Sequence, residues 1–149
     1  MVEIHQLRKS FRTRTGEVPA LKGVDLDIKE GEIFTMLGPS GCGKTTMLRC
    51  IAGLEKADAG KITINREVVF DAEANVVVPA HARGIGMVFQ SYAIWPHMSV
   101  FQNVALPLRE GTFKIQKSEV KSRVAQALSL VKLDGLMERP ATLLSGGQQ

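Results

Sequence analysis

The chain has 149 residues, of which 44% are hydrophobic and 23% charged, and it carries a net charge of +4 at pH 7. This length allows one domain with a hydrophobic core, and the composition is ordinary for a soluble globular protein. No apolar run approaches the ~20 residues of a membrane-spanning helix, and the N-terminus lacks the pattern of a secretory signal peptide. We therefore expect a cytoplasmic protein whose two cysteines stay reduced and whose membrane association comes through a partner.

The first 30 residues are predicted to be mainly β structure. Apolar and polar residues alternate cleanly over residues 24–29, which predicts a strand with one buried face. The alternation is less regular over residues 2–7, and a polar loop is predicted at residues 12–17. Short apolar runs predict further strands at residues 32–37, at 61–65, in a hairpin formed by 68–70 and 76–78, and at 85–89, where a buried strand ends in Gln90.

Eight residues match the phosphate-loop pattern G-x-x-x-x-G-K-[ST] without a mismatch. They are Gly38, Pro39, Ser40, Gly41, Cys42, Gly43, Lys44 and Thr45. They follow the strand of residues 32–37 and precede a predicted helix over residues 46–52 that ends at Gly53. Glycines allow a sharp turn and a close approach to a ligand, and the N–H groups at the start of a helix favour an anion. The lysine adds a positive charge, and the threonine hydroxyl can bind Mg²⁺. A glycine-rich turn that carries a lysine by chance is the alternative, but the strand–loop–helix order favours a phosphate site.

Beyond residue 96 the pattern becomes helical. Ser99 is predicted to cap a helix that begins at Val100 and stops near Pro107. Ser118 is predicted to cap a last helix with one apolar face, formed by Val120, Val124, Leu128 and Val131.

A second motif lies at the end of the chain, where residues 144–148 read LSGGQ. A phosphate loop, a strand ending in glutamine and this signature, in that order, resemble the ATP-binding subunits of bacterial ABC importers. Residues 85–100, IGMVFQSYAIWPHMSV, are most similar to the branch that serves maltose-type sugars, polyamines and ferric iron. The resemblance covers essentially the whole chain.

The resemblance implies an α/β fold of the P-loop NTPase type, the ABC nucleotide-binding domain, with an N-terminal antiparallel β subdomain and a helical subdomain. Residues 1–90 would form the β subdomain and the phosphate-loop core, and residues 91–149 the helical subdomain with the signature. In the family, residues 33–37 would lie inside a parallel sheet, and a catalytic glutamate and a switch histidine follow the signature. Neither occurs here. The chain is therefore interpreted as truncated after the signature, and we expect it to be poorly stable and inactive as an ATPase by itself.

The resemblance also assigns residues to ATP and Mg²⁺. Lys44 and Gln90 would be catalytic, with Lys44 stabilising the transferred phosphoryl group and Gln90 reaching Mg²⁺ and the attacking water. Thr45 and Gln90 would bind Mg²⁺, and the loop together with Thr46 would bind the phosphates. Phe11 would stack on adenine. The alternative is a core phenylalanine at the end of a strand.

The signature residues Ser145, Gly146, Gly147 and Gln148 would contribute a second part of the ATP site. The first three are expected to open a helix whose free N–H groups attract an anion. In the family they face the γ-phosphate bound by the opposite subunit. The resemblance therefore implies a head-to-tail dimer with a second nucleotide-binding subunit.

A dense apolar run after Gln90 is interpreted as a docking surface. It comprises Tyr92, Ile94, Trp95, Pro96 and Met98. In the family this region receives a short helix from the transmembrane permease subunits, which also work with a periplasmic or extracellular solute-binding protein. The resemblance thus implies a peripheral subunit of a solute importer at the cytoplasmic face of the inner membrane, with no nucleic-acid partner.

Two other functions stay open. A soluble ABC-type ATPase that acts on nucleic acid or ribosomes carries the same phosphate loop and signature, although residues 92–100 favour an importer. A non-catalytic nucleotide-binding fragment is the third interpretation, and a turnover assay would distinguish it from an enzyme.

Overall fold

The computed structural model describes residues 1–89, 93–111 and 115–149. The chain divides into two compact units, Met1–Met87 and Val88–Gln149. The first unit consists of an antiparallel β-sheet, one α-helix and one 3-10 turn, and the second unit consists of two α-helices and short 3-10 turns. Among the described helices, none is both long and apolar enough to cross a membrane.

The sheet of the first unit has five strands in the order β2-β1-β3-β4-β5, and all neighbours are antiparallel. The strands are β1 (Val2–Thr13), β2 (Gly16–Ile28), β3 (Ala59–Ile64), β4 (Glu67–Asp71) and β5 (Val76–Val77). The predicted strands of the first 30 residues, the strand near residue 62 and the hairpin formed by β4 and β5 are therefore confirmed. The predicted polar loop at residues 12–17 is shorter than expected, because Thr13 pairs with Gly16 and leaves a two-residue turn.

A bulge in β1 explains why its alternation is irregular. Ile4 and Leu7 are both fully buried although they are three residues apart. The register with β2 shifts between these two residues, and Gln6 has a left-handed φ of 47°. An extra residue in one strand returns the following side chain to the buried face. The side chain and N–H of Gln6 both donate to Asp25, which holds the bulge against β2.

Helix α1 (Lys44–Ala52) packs on this sheet. Its Met47 and Cys50 belong to the same buried cluster as Ile4, Leu7 and Ile62. The predicted C-terminus is confirmed, since Gly53 caps the helix with a left-handed φ of 75°. The sheet and the helix thus share one core, which positions the start of the helix and the loop before it.

Two strand predictions are wrong for the described residues. Residues 32–37 form no strand, and Ile33 is 95% exposed. Residues 85–89 also form no strand, and Val88 is 97% exposed rather than buried. An apolar run becomes a parallel strand only when neighbouring strands pair with it. Within the described ranges, the five paired strands belong to other segments, so neither run has a partner there.

The second unit contains α2 (Val100–Glu110) and α3 (Lys117–Leu130). The predicted cap of α2 is confirmed, because Ser99 Oγ accepts from the N–H of Gln102 while the Gln102 side chain accepts from the N–H of Ser99. The predicted stop at Pro107 is wrong, since α2 continues to Glu110. Near the end of a helix, a proline interrupts only a bond to the preceding turn, and the N–H of Gly111 still reaches the oxygen of Pro107.

Helix α3 departs from its prediction at both ends. It begins at Lys117 after Gln116, so Ser118 lies inside the helix and does not cap it. Val120, Val124 and Leu128 are buried as predicted, whereas Val131 lies beyond the last turn and is exposed. The buried valines and Leu128 pack with Ala105 of α2 and with Leu144, the first signature residue.

Candidate functional site

The glycines of the loop at residues 38–45 permit a close contact with β2. Gly43 is the N-cap of α1 and has a left-handed φ of 96°, a conformation that side chains disfavour. A Cβ built on Gly43 would lie 2.5 Å from the main-chain oxygen of Ala20 and 3.1 Å from Leu21 Cδ2. Glycine is therefore required at this position for steric reasons as well as conformational ones. The contact fixes the start of α1 against the sheet.

Lys44 lies half-buried at the first position of α1, and its ammonium turns back over the loop. Nζ donates to the main-chain oxygens of Gly38, at 2.7 Å, and Pro39, at 2.8 Å. It also lies 3.4 Å from Cys42 Sγ. The positive charge is therefore beside the N-terminus of α1, where the first N–H groups of a helix have no partner inside it. Both features favour an anion at the same place.

The remaining loop residues are accessible to a ligand. Gly38, Pro39, Ser40, Gly41 and Cys42 are exposed, as is Thr45, while Thr46 is half-buried. Gly41 has a left-handed φ of 83°, and a Cβ built there would meet no atom within 4 Å. Thr45 is exposed and presents a hydroxyl oxygen, the kind of ligand that Mg²⁺ prefers. The loop has the curvature, the charge and the donors that a polyphosphate with its metal requires.

Arg83 holds the opposite end of α1, a role that the sequence alone does not predict. Its guanidinium Nη1 donates to the main-chain oxygens of Cys50, at 2.8 Å, and Ile51, at 2.9 Å, and Nε donates to the oxygen of Val78 at 2.8 Å. The residue is only 7% exposed. Its partners lie 33 and 32 residues earlier, so no local sequence pattern could have indicated this contact.

Phe11 lies on β1 opposite Val18 of β2 and is 38% exposed. Within the described residues, it does not belong to the buried core, which argues against the alternative of a core phenylalanine. Lys9 Nζ lies 5.3 Å from the centre of the Phe11 ring, at cation–π distance. Phe11 and Ala20 belong to the same β1–β2 hairpin, and Ala20 contacts Gly43 at the start of α1. The hairpin therefore connects the Phe11 ring to the loop, where a nucleotide would be bound.

An ion-pair group anchors the hairpin near Phe11. Lys9 Nζ lies 3.0 Å from Glu55 Oε1 and 3.2 Å from Asp58 Oδ1, and the N–H of Ser10 donates to Asp58 at 2.6 Å. Burial by itself lowers the pKa of Lys9, but the hydrogen bonds to Glu55 and Asp58 and the negative charges of these two residues together raise it, so the net pKa lies above its ordinary value. The group ties β1 to the segment that follows α1.

The signature residues belong to the second unit. Gly146–Gln148 form one 3-10 turn with Ser145 as its N-cap. The predicted helix start at these residues is thus present as a single turn. The N–H of Ser145 donates to Gln148 Oε1 at 3.0 Å, and Leu144 anchors the turn in the core of this unit. Residues 145–149 are exposed. The N–H groups of Ser145, Gln148 and Gln149 donate within the turn, which leaves those of Gly146 and Gly147 accessible to an anion.

Two predicted features extend beyond the described part of the chain. Gln90 lies outside the described residues, as does Tyr92 of the predicted docking surface. Of the other members of that surface, Trp95 is 52% exposed and Pro96 is exposed, whereas Ile94 packs against the helical core and Met98 is half-buried. Among the described members, the exposed part of the surface is therefore formed by Trp95 and Pro96, the Trp95–Pro96 corner.

Comparison with known proteins agrees with these motifs. A family model described as ABC transporter matches residues 21–149. The sulfate/thiosulfate import ATP-binding protein CysA of Xylella fastidiosa is 49% identical over 150 residues, which cover 99% of this chain and 40% of that protein. The spermidine/putrescine import ATP-binding protein PotA of Trichormus variabilis is 50% identical over 144 residues, which cover 97% of this chain and 35% of that protein.

The trehalose/maltose import ATP-binding protein MalK of Thermococcus litoralis is 47% identical over 134 residues, which cover 90% of this chain and 36% of that protein. The chain thus spans well under half the length of these relatives. Among solved structures, an ATP-binding cassette in a dimeric post-hydrolysis state bound to ADP and Pi superposes with a TM-score of 0.84 at 32% identity. The match covers 99% of this chain and 65% of that one. The fold is therefore that of an ABC ATPase cassette.

Proposed function

The chain belongs to the ABC transporter family, and on that premise we propose that it is the ATP-binding subunit of a solute importer. The observation that carries the proposal is the placement of the Lys44 ammonium over the loop at the N-terminus of α1. The names of the relatives support the import function, since all three are import ATP-binding proteins. They are named for different solutes, so the proposal assigns no solute class.

Residues 38–46 are proposed to bind the phosphates of ATP. The first N–H groups of α1 would donate to phosphate oxygens, and the Lys44 ammonium would exchange its carbonyl partners for the outer phosphates. Positive charge fixed beside the transferred phosphoryl group stabilises the charge that develops there. Thr45 is proposed to hold Mg²⁺ with Gln90. The metal, when bound, supplies charge neutralisation at the phosphate oxygens. Phe11 is proposed to stack on adenine.

A second copy of the subunit is proposed to complete the site. Ser145, Gly146, Gly147 and Gln148 would face the γ-phosphate held by the partner in a head-to-tail dimer, with the N–H groups of Gly146 and Gly147 as donors. The dimeric state of the similar cassette structure supports this arrangement. The division into Met1–Met87 and Val88–Gln149 supports our proposal that a phosphate-loop core and a helical subdomain act as separate parts.

The Trp95–Pro96 corner is proposed as the docking site for the transmembrane permease subunits. Large exposed apolar side chains at a loop favour a protein partner. On this proposal the subunit is peripheral to the cytoplasmic face of the membrane, and it meets a solute-binding protein only through the permease.

The proposal is tested by purifying the tagged protein from its native cells with gentle detergent and by measuring bound Mg-ATP. Co-purification of a protein with several spanning helices, together with saturable ATP binding, is the expected result. Recovery of nucleic acid or ribosomal proteins in its place would contradict the import function and favour a soluble ABC-type ATPase. ATP binding with no turnover in the assembled complex would favour a non-catalytic module.

A further inference from the structure

Arg83 is a buried cation whose hydrogen bonds to the described residues all go to main-chain oxygens. Its two bonds to Cys50 and Ile51 reach the last turn of α1, and its bond to Val78 reaches the segment after β5. Within the described residues, no carboxylate forms an ion pair with it. Burial lowers the pKa of the guanidinium, which is the expected direction for a cation that has lost water. The charge is therefore compensated by α1 itself.

The end of a helix is a suitable partner for such a charge. The last carbonyl groups of a helix have no N–H partner inside it, and they form the negative end of its dipole. A planar guanidinium can donate to two neighbouring oxygens at once with little loss of side-chain freedom. Arg83 therefore adds a donor to two carbonyl groups of the last turn, of which that of Cys50 also accepts from the N–H of Gly53, and it fixes the position of this turn.

Gly53 shapes the space that the guanidinium occupies. A Cβ built on Gly53 would lie 2.6 Å from Arg83 Nε and 2.9 Å from Arg83 Cζ. The left-handed φ of 75° at Gly53 also disfavours any side chain there. The position of the Arg83 guanidinium is thus limited by the carbonyl groups at the end of α1 and by Gly53.

We infer that Arg83 is a positioning residue for nucleotide binding, acting through α1 on the phosphate loop. The inference rests on the proposed function. Lys44 stands at the first position of the same nine-residue helix, about 9 Å from Cys50 at 1.5 Å per residue. A short helix moves as a rigid body, so a shift of its last turn displaces Lys44 and the first N–H groups. Displacements near 1 Å at a binding group have large effects. Arg83 itself touches no nucleotide.

The test compares Arg83→Gln and Arg83→Lys with a matched control, Arg49→Gln. Arg49 lies in the last turn of α1 and is exposed, so its substitution removes a positive charge from the same helix end without a buried contact. We expect Arg83→Gln to weaken Mg-ATP binding about tenfold, within the range of coupling between linked sites. Arg83→Lys keeps the positive charge but has a single ammonium in place of the separate Nε and Nη1 donors, so we expect a smaller loss of ATP affinity. Arg49→Gln is expected to bind as the wild-type protein does.

Backbone amide NMR distinguishes a displaced phosphate loop from a general loss of protein stability, because a loss of stability alone would not shift the amide signals of the folded protein. The amide signals of Gly43 and Lys44 are expected to shift in Arg83→Lys and in Gly53→Ala, and to stay in place in Arg49→Gln. If Arg83→Gln does not fold, Arg83→Lys and Gly53→Ala decide the question, with folding checked by circular dichroism.

Unchanged ATP affinity in the folded Arg83 variants would overturn the inference, and so would a loss of affinity with no shift at Gly43 and Lys44. A wild-type protein that binds no ATP would instead contradict the proposed function. The amide shifts of the nucleotide-free variants would still decide whether Arg83 positions the loop.

Discussion

The Lys44 ammonium closes the loop that precedes it, since Nζ donates a hydrogen bond of 2.7 Å to the main-chain oxygen of Gly38. These two residues are six positions apart, so the bond joins the ends of the phosphate-loop motif. The bond places a positive charge beside the unpaired N–H groups of α1. The proposed phosphate site can therefore be tested through single side chains around this contact.

Lys44→Ala is expected to weaken Mg-ATP binding roughly 10- to 150-fold, because hydrogen bonds to charged groups contribute about 1.5–3 kcal/mol. Isothermal titration calorimetry measures the affinity, and circular dichroism confirms that the variant is folded. Lys56→Ala removes an exposed lysine shortly after α1 and is expected to leave binding unchanged. An unaltered affinity in folded Lys44→Ala would exclude this loop as the phosphate site.

Mg-ATP is expected to slow the alkylation of Cys42, which is exposed in the loop and lies 3.4 Å from Lys44 Nζ. Cys50 is an internal control. It is 1% exposed, and burial raises its pKa to about 11, so at pH 7.5 it stays a protected thiol. Labelling with iodoacetamide followed by peptide mass spectrometry measures both sites. Equal rates at Cys42 with and without nucleotide would count against a ligand on the loop.

Phe11→Ala is expected to weaken ATP binding while leaving inorganic triphosphate binding unchanged. Stacking of an aromatic ring on a base contributes about 1–3 kcal/mol in nucleic-acid sites, which sets an upper guide here. Val18→Ala is the matched control, because Val18 is the cross-strand partner of Phe11 and its loss tests the hairpin alone. If ATP and triphosphate affinities fall equally in Phe11→Ala, the ring has a structural role only.

Binding of the permease subunits is expected to shift the fluorescence of Trp95, the single tryptophan of the chain, to shorter wavelength. Trp95→Ala is expected to reduce co-purification of the permease, since a large exposed apolar contact would be lost. Leu130→Ala removes an exposed apolar side chain at the end of α3 and is expected to have no such effect. Permease recovery that is equal in both variants would locate the docking surface elsewhere.

The stability contributed by Asp71 is expected to depend on pH. Hydrogen bonds from the N–H of Ala74, together with those from Lys61 and the N–H of Glu73, hold the pKa of Asp71 below its ordinary value of 3.8. A depressed pKa stabilises the folded state above the unfolded value, and this contribution disappears as pH falls through the folded pKa. Asp71→Asn should therefore destabilise the protein at pH 6 and less so below pH 3.8. Thermal unfolding of wild type and variant at the two pH values measures the destabilisation.

The exposed neighbour Glu73 provides the control for this measurement. Glu73→Gln removes a carboxylate from the same turn and is expected to change stability little at either pH. If the difference in unfolding temperature between wild type and Asp71→Asn stays constant or grows on acidification, the Asp71 carboxylate is not the source of this stability.

Local sequence rules determined the features that depend on neighbours within a few residues. The phosphate loop was predictable because its glycines, its lysine and the start of α1 are adjacent in the chain. The capping of α2 by Ser99, the end of α1 at Gly53 and the β4–β5 hairpin follow from the same kind of short-range hydrogen bonding.

Tertiary structure alone decided what depends on distant partners. The apolar runs at residues 32–37 and 85–89 were predicted as strands, yet a strand exists only when another strand pairs with it, and none in the described ranges does. The exposure of Val131 depends on where α3 ends and on which of its residues the helical core covers. Arg83 is the clearest case, because its side chain becomes a helix cap only when folding brings Cys50, 33 residues away, within 2.8 Å. Composition and periodicity describe one segment at a time, whereas a buried charge is satisfied by whichever main-chain oxygens the fold places beside it.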